Sequence, residues 1–289
     1  MSDPVAPGRL FVVATPIGNL GDLTLRAARV LREAAWVASE DTRRTRNLLN
    51  HLGIKARLVS YYRGKERDRG GAIIERLLAG ESVALVSDAG TPGIADPGTI
   101  LVRMAREAGI PVEPVPGPSA LAAALSVCGI DATPFHFVGF LPSRAAQRRK
   151  ALDGLRFLEA AIVFYEAPHR IAASLADCLE VLGDRPAFLG RELTKLHEET
   201  RLGMLSELAA DIGGRDSVKG EFVIILEGKN VSAGAGRSLD EALLWHRDQA
   251  RSTLRDAVRE VVAESGRPKS EVYARALELW NGSDRRTVS

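Results

Sequence analysis

Metal-binding and redox patterns are scarce in this chain of 289 residues. Its two cysteines, Cys128 and Cys178, show no CxxC spacing, so buried, reduced side chains are expected rather than a disulfide framework or a zinc site. The five histidines form no HExxH or comparable ligand spacing, and no metal is expected. No apolar run approaches the ~18 residues of a membrane span, and the acidic, proline-bearing start has no secretory core. A cytoplasmic protein with no membrane partner is the expectation. Charge of either sign is nearly balanced, with 39 Lys and Arg against 37 Asp and Glu. Affinity for nucleic acid must therefore come from local patches. The nucleotide fingerprints GK[ST] and GxGxxG are absent from the glycine loops, and no GxSxG marks a serine nucleophile.

What is present is alternation. Apolar runs at 10–15, 36–39, 57–60, 83–87 and 112–115 read as strands, separated by helical patterns at 23–33, 45–52, 72–79 and 99–108. Strands alternating with helices argue for a parallel sheet covered on both faces. Pro114–Pro118 breaks this pattern as a boundary. A helix over 119–128 with Ser119 as N-cap follows. Further strands are expected at 135–139, 161–165, 187–191 and 222–227, and helices at 144–155, 171–181 and 204–212. After Gly228 a Gly/Ala/Ser stretch resembles a linker and leads to a helical tail. The fold class is α/β, with two α/β domains, 1–115 and 116–229, and a small helical module at 238–289.

The richest segment is Val83–Gly98, VALVSDAGTPGIADPG, an apolar strand emptying into a loop of closely spaced glycines and prolines. Glycine permits positive φ and close ligand approach, and open α/β sheets place ligands at such strand ends. TPIGNLGDLT after the first strand lies on the same sheet edge, although strand-to-helix turns use Gly and Pro for geometry alone. In SEDTRRTRN, Glu40 and Asp41 sit at the mouth of this edge, and Asp41 could equally cap a helix. Arg43, Arg44 and Arg46 stand at a helix start, where the macrodipole disfavours each cation by ~0.3–1 kcal/mol, which suggests an anionic partner. Arg63–Arg69 alternates with acids and reads as a solvated loop. Arg144, Arg148, Arg149 and Lys150 have few local acidic neighbours and read as a phosphate-contacting surface. Arg247, Arg251, Arg255 and Arg259 recur every four residues along one tail helix, as a solvated face or a nucleic-acid contact. A turn and second helix at 266–279 give a helix-turn-helix-like pair. Glu166, His169, Lys195, His197 and Glu198 are cleft groups or ordinary exposed loop residues.

In order, TPIGNLGDLT, SEDTRRT, SDAGTPGIADPG, PGPSA, GFLP, YEAPHR, RELTKLHEE and KGEFVIILEG resemble the S-adenosylmethionine enzymes of the tetrapyrrole-methylase fold, over about four-fifths of the chain. They are similar, more narrowly, to that fold's ribosomal RNA branch, the 16S rRNA cytidine 2′-O-methyltransferases, with no serious departure from its pattern. The resemblance implies a homodimer, with S-adenosylmethionine folded between the domains and 16S rRNA of the small ribosomal subunit as substrate. By motif position, Pro16, Asp88, Gly90, Pro92 and Ile94 line one wall of the cofactor site. Ser119 and Ala120 follow from the second domain, and Leu141, Tyr165, Gly220 and Glu221 close the pocket. Glu40 or Asp41 acts as or positions the general base, and Arg43, Arg44 and Arg46 hold phosphates, with Arg144, Arg148 and Arg149 as further RNA contacts. The competing readings are a tetrapyrrole carbon methylase on the same fold and a non-catalytic RNA-binding protein.

Overall fold

The computed structural model describes residues 6–229, 238–248 and 252–281. Its first half alternates as expected: β1 (Leu10–Val13), α1 (Leu25–Glu33), β2 (Trp36–Ser39), α2 (Thr42–His51), β3 (Arg57–Ser60), α3 (Glu66–Leu78), β4 (Val83–Val86), α4 (Thr99–Glu107) and β5 (Val112–Val115). The five strands form one parallel sheet in the order β3-β2-β4-β1-β5. β4 lies inside it and is buried at every position, which is why its sequence is a continuous apolar run. One face packs on Ala27, Val30, Leu31 and Leu49 from α1 and α2, and the other on Ile73, Leu77, Leu101 and Ala105 from α3 and α4.

Two helices begin earlier than their apolar periodicity suggested. The Asp41 carboxylate accepts the Arg43 amide at 2.8 Å, so the cap starts α2 at Thr42. The presumed loop at 63–69 is largely the first turn of α3, where Glu66 and Asp68 complement the helix dipole.

The second half holds α5 (Ala120–Val127), β6 (Phe135–Phe140), α6 (Ala145–Asp153), β7 (Ala161–Glu166), α7 (Ile171–Leu182), β8 (Pro186–Arg191), β9 (Glu199–Met204), α8 (Leu205–Gly213) and β10 (Phe222–Leu226). Ser119 occupies the N-cap of α5 without a capping side-chain bond. The sheet order is β6-β7-β10-β8-β9, with only β6 and β7 parallel. β9 was absent from the expected strands. It is a largely exposed edge, so its residues carry no inside–outside alternation.

The tail differs from the expected long helix and its partner. It forms α9 (Leu239–Asp248), α10 (Leu254–Ser265) and α11 (Lys269–Asn281) around Leu243, Val258, Val261, Val272 and Ala276. The arginine row is thus divided: Arg247 belongs to α9, Arg255 and Arg259 to α10, and Arg251 lies outside the described residues. The linker expected after Gly228 falls largely on 230–237, also outside them. Cys128 and Cys178 are free thiols, both buried. No described helix is long and apolar enough to cross a membrane.

Candidate active site

The carboxyl ends of β1, β2 and β4 open on one edge of the first sheet. β1 stops at Val13 because Thr15 turns away to pair with Gly90, exchanging N–H···O bonds of 2.9 and 3.0 Å. The Ser87 hydroxyl donates to the Ala89 carbonyl at 3.1 Å and closes the turn further. Gly90 has φ +75°, a backbone that L side chains avoid. The loop is fixed by its own backbone.

Facing it, the second sheet contributes the ends of β6, β7 and β10 and the loop after β8. Between the two lies a cleft of about 410 Å³, within the range of small-molecule sites. Ile17, Ile94, Ala120, Phe140, Tyr165 and Val223 supply apolar surface, and Asp88, Asp96, Glu166, Glu192 and Glu221 supply carboxylates. Tyr165 is held edge-on by Phe137 and Phe140 at centroid distances of 5.0 and 5.7 Å, and its hydroxyl accepts the Leu121 amide at 3.1 Å.

Of the expected cofactor residues, Asp88, Gly90, Ile94, Ser119, Ala120, Tyr165 and Glu221 line this cleft. Four do not. Pro16 lines a neighbouring hollow of about 300 Å³ that shares Arg44 and Asp88 with the cleft. Pro92 is buried within its loop. Leu141 is 1% exposed and belongs to the core of the second unit, its carbonyl accepting from Arg170. Gly220 sits behind Glu221 with φ +92°, where a Cβ would lie 2.3 Å from Cγ of Glu192.

Glu40 and Asp41 also stand outside the lining. Asp41 is occupied as the α2 cap, and the Arg43 amide is the main cause holding its carboxyl below the ordinary range. Its own amide donates to Asp88 at 3.0 Å. Glu40 is raised, first by burial and then by the charge of Asp88.

Arg43, Arg44 and Arg46 are exposed on α2, with Arg44 3.6 Å from Asp88. Arg144 is exposed at the start of α6. The assignment of Arg148 to a phosphate-contacting surface is corrected by its burial. Its side chain is 5% exposed, and Nε donates to Asp177 at 2.6 Å. Arg149 turns to the same carboxylate at 2.7 Å and to Glu180 at 3.3 Å, keeping half its surface exposed. The acidic partners come from α7, beyond the reach of local sequence.

Four residues with no cofactor or base role expected of them enter the cleft: Asp96, His169, Glu192 and Lys195. Glu192 and Thr194 have φ of 50° and 69°, so the RELTKLHEE loop is strained where it meets the cleft. Lys195 Nζ bridges Glu192 at 2.7 Å and Glu221 at 3.0 Å. Asp96 is pushed up to about 6, chiefly by burial, then by Glu40 and Asp88, with Arg63 opposing.

A glycine-loop sheet facing a mixed sheet across such a cleft defines the class: residues 9–209 match the family model of the Tetrapyrrole (Corrin/Porphyrin) Methylases. Among solved structures the fold is similar to uroporphyrin-III C-methyltransferase of Thermus thermophilus complexed with S-adenosyl homocysteine, with TM-score 0.55, 22% identity, and coverage of 78% of this chain and 100% of that one. It is also similar to a cobalt precorrin-4 methyltransferase, with TM-score 0.56, 16% identity and coverage of 76% and 94%.

Curated relatives share more of the sequence. The ribosomal RNA small subunit methyltransferase I of Micromonospora olivasterospora is 48% identical, covering 94% of this chain and 87% of its own. Those of Escherichia coli O157:H7 and Bacillus subtilis are 42% and 38% identical, covering 94% and 92% of this chain and 95% and 93% of theirs. The chain belongs to the tetrapyrrole methylase family and, within it, to the ribosomal RNA small subunit methyltransferases I.

Proposed function

We propose that this chain transfers a methyl group from S-adenosylmethionine to the ribose 2′-oxygen of a cytidine in 16S rRNA of the small ribosomal subunit. The observation carrying this reading is the rigid Gly90–Gly98 loop facing Tyr165 and Ala120 across a partly apolar, carboxylate-lined cleft. The donor set suits the cofactor: loop backbone for an amino acid or ribose, apolar side chains for a purine, and carboxylates for a cation. Asp88, Gly90, Ile94, Ser119, Ala120, Tyr165 and Glu221 would hold it. When bound, the cofactor supplies an electrophilic methyl group on a sulfonium whose charge disappears on transfer, so the chemistry requires no metal.

The protein's share is positioning and desolvation. Arg43, Arg44 and Arg46 from α2, and Arg144 from α6, bind phosphates at the cleft mouth. The ribose is presented from that side, while Phe140 and Tyr165 keep the interior dry. Of the two carboxylates expected to serve as base, Asp41 instead fixes α2 and thereby its arginines. The units 1–115 and 116–229 form the cleft walls, and 238–289 anchors RNA away from the reacting ribose. The reading includes a homodimer acting in the cytoplasm, for which light scattering gives twice the chain's 31.1 kDa.

The test uses S-adenosylmethionine labelled in its methyl group and small subunits from cells lacking the gene. Label mapping to a cytidine ribose 2′-oxygen is the expected result. No label on subunits or free rRNA, with cofactor binding intact by calorimetry, overturns the reading and points to a tetrapyrrole or other small-molecule acceptor.

A further inference from the structure

Beside the cofactor cleft lies the hollow of about 300 Å³ that shares Arg44 and Asp88 with it. Three segments of the first unit build its walls. The segment after β1 supplies Pro16 and Leu20, the end of β4 supplies Val86, and α2 supplies Asn47 and Leu48. Four of these five side chains are apolar. Leu20 is 44% exposed, so a flat apolar ring laid against it would gain burial.

The polar groups of the hollow fall into two sets. The Thr15 hydroxyl donates to the Ser87 carbonyl at 3.2 Å, Ser87 to the Ala89 carbonyl at 3.1 Å, and Thr45 to the Asp41 carbonyl at 3.2 Å. Those bonds hold the loops and the helix themselves. Asn47 is different: it is exposed, and its side-chain amide has no hydrogen-bond partner among the described residues. A carboxamide sets an acceptor beside a donor, the pattern that pairs with the edge of a base.

α2 turns two adjacent faces to this region. Arg44 and Asn47, three residues apart, line the hollow with Leu48, whereas Arg43 and Arg46, also three apart, do not. The exposed guanidiniums of Arg43 and Arg46 therefore stand outside it, on the neighbouring face of the same helix. A single nucleotide swung out of its stack needs this division, with an apolar slot and a polar edge for the base and cations outside for the phosphates.

We infer that the hollow takes the cytosine of the target nucleotide, with Asn47 as the residue that reads its edge, an assignment that rests on the ribose methylation proposed above. The Asn47 carbonyl accepts from the N4 amino group and its NH2 donates to N3, while Leu20 covers a face of the ring. Arg44 and Asp88, shared by both hollows, mark where the ribose passes towards the cofactor cleft. Asn47 thus decides which 2′-hydroxyl meets the methyl group and does not touch the cofactor.

The test is a double-mutant cycle between protein and RNA. Small subunits are reconstituted with 16S rRNA carrying either the target cytidine or, at the same position, an abasic ribose that keeps its 2′-hydroxyl. Parent and Asn47→Ala enzymes are compared on both for methyl transfer, and their cofactor affinity is measured by calorimetry. On cytidine subunits Asn47→Ala lowers kcat/KM roughly 5–150-fold, and cofactor affinity is unchanged. On abasic subunits the parent is already slow, and the substitution changes kcat/KM by less than about twofold. Leu20→Ala, which removes contact with the ring rather than its edge, shows the same dependence on the base.

An equal loss for Asn47→Ala on both substrates overturns the inference, because the residue would then act without the base. So does a parent enzyme that labels abasic and cytidine subunits at the same rate. If the parent places no label on cytidine subunits, the methylation reading fails and the assignment of the hollow falls with it. Label that depends neither on the base nor on Asn47 removes the hollow alone.

Discussion

Replacing Arg148 by methionine separates an RNA contact from a structural one. The guanidinium and the Asp177 carboxylate are 5% and 6% exposed, and the guanidinium also donates to the Ser143 carbonyl at 3.1 Å. Together these contacts lock the start of α6 to α7. Losing one partner of such a buried pair costs about 3–5 kcal/mol, because the remaining charge is stranded. Arg149 still reaches Asp177 at 2.7 Å, so the lower end, about 3 kcal/mol, is expected. At about 2–4 °C per kcal/mol the melting temperature falls by about 6–12 °C. Adding Asp177→Leu removes the stranded carboxylate and restores much of the loss.

Acid provides a second check on the same pair. Burial by itself would raise the Asp177 carboxyl, but Arg149 and Arg148 outweigh it and hold it below its ordinary value. A lowered folded-state value gives stability that is present above the unfolded value and lost as pH falls through the folded one. The gap between parent and Arg148→Met therefore closes on acidification below about pH 4. Melting followed by circular dichroism, alongside rRNA binding, decides the matter. An unchanged melt together with a tenfold loss of rRNA affinity would refute the structural account.

Other outcomes follow from the same reasoning. Glu199, gathered by Arg215, Arg191 and Arg201, is lowered to about 2, so Glu199→Gln costs about 1–3 kcal/mol at neutral pH in denaturant titrations. The parent loses that advantage only between about pH 4.5 and 2, where its carboxylate protonates. Gly220→Ala drives a methyl group into Glu192 and strains a positive φ, so the melt drops by the equivalent of about 1–3 kcal/mol. Calorimetry on that variant shows weaker cofactor binding, because the Lys195 bridge to Glu221 is disturbed. Deleting the residues after Gly236 weakens binding to the small subunit, measured by filter retention, and leaves cofactor affinity intact. Equal subunit affinity in the truncated protein contradicts an anchoring role for the tail.

What could be read from sequence followed the range of the interactions involved. β2, β3 and β5 coincide with their expected ranges, because each is a short apolar stretch set in the strand–helix alternation, β2 largely buried and the edge strands β3 and β5 partly so. β9 was missed because an exposed edge leaves no such record. Asp88, Gly90 and Ile94 were placed together because one loop carries them to the cleft that they line. Leu141 and Arg148 were misplaced because the core and the α7 carboxylate that claim them come from distant segments. Asp96 looked like any acid in a turn, since its burial and like-charge neighbours are supplied by Glu40 and Asp88 from other parts of the chain.

The position of β10 bears on how the chain is made. Its residues pair on both sides, with β7 and with β8, yet β10 is the last strand among the described residues. During synthesis β7 and β8 emerge with facing edges open and nothing between them. At about 5–20 residues per second, the stretch from Arg191 to Leu226 takes roughly 2–7 s to appear. Through that interval a nascent chain presents unpaired apolar edges of the kind that recruit other strands. Pausing before residue 226, or a stop codon there, would leave the second unit a client for chaperones, whereas the first sheet is already complete once β5 has emerged.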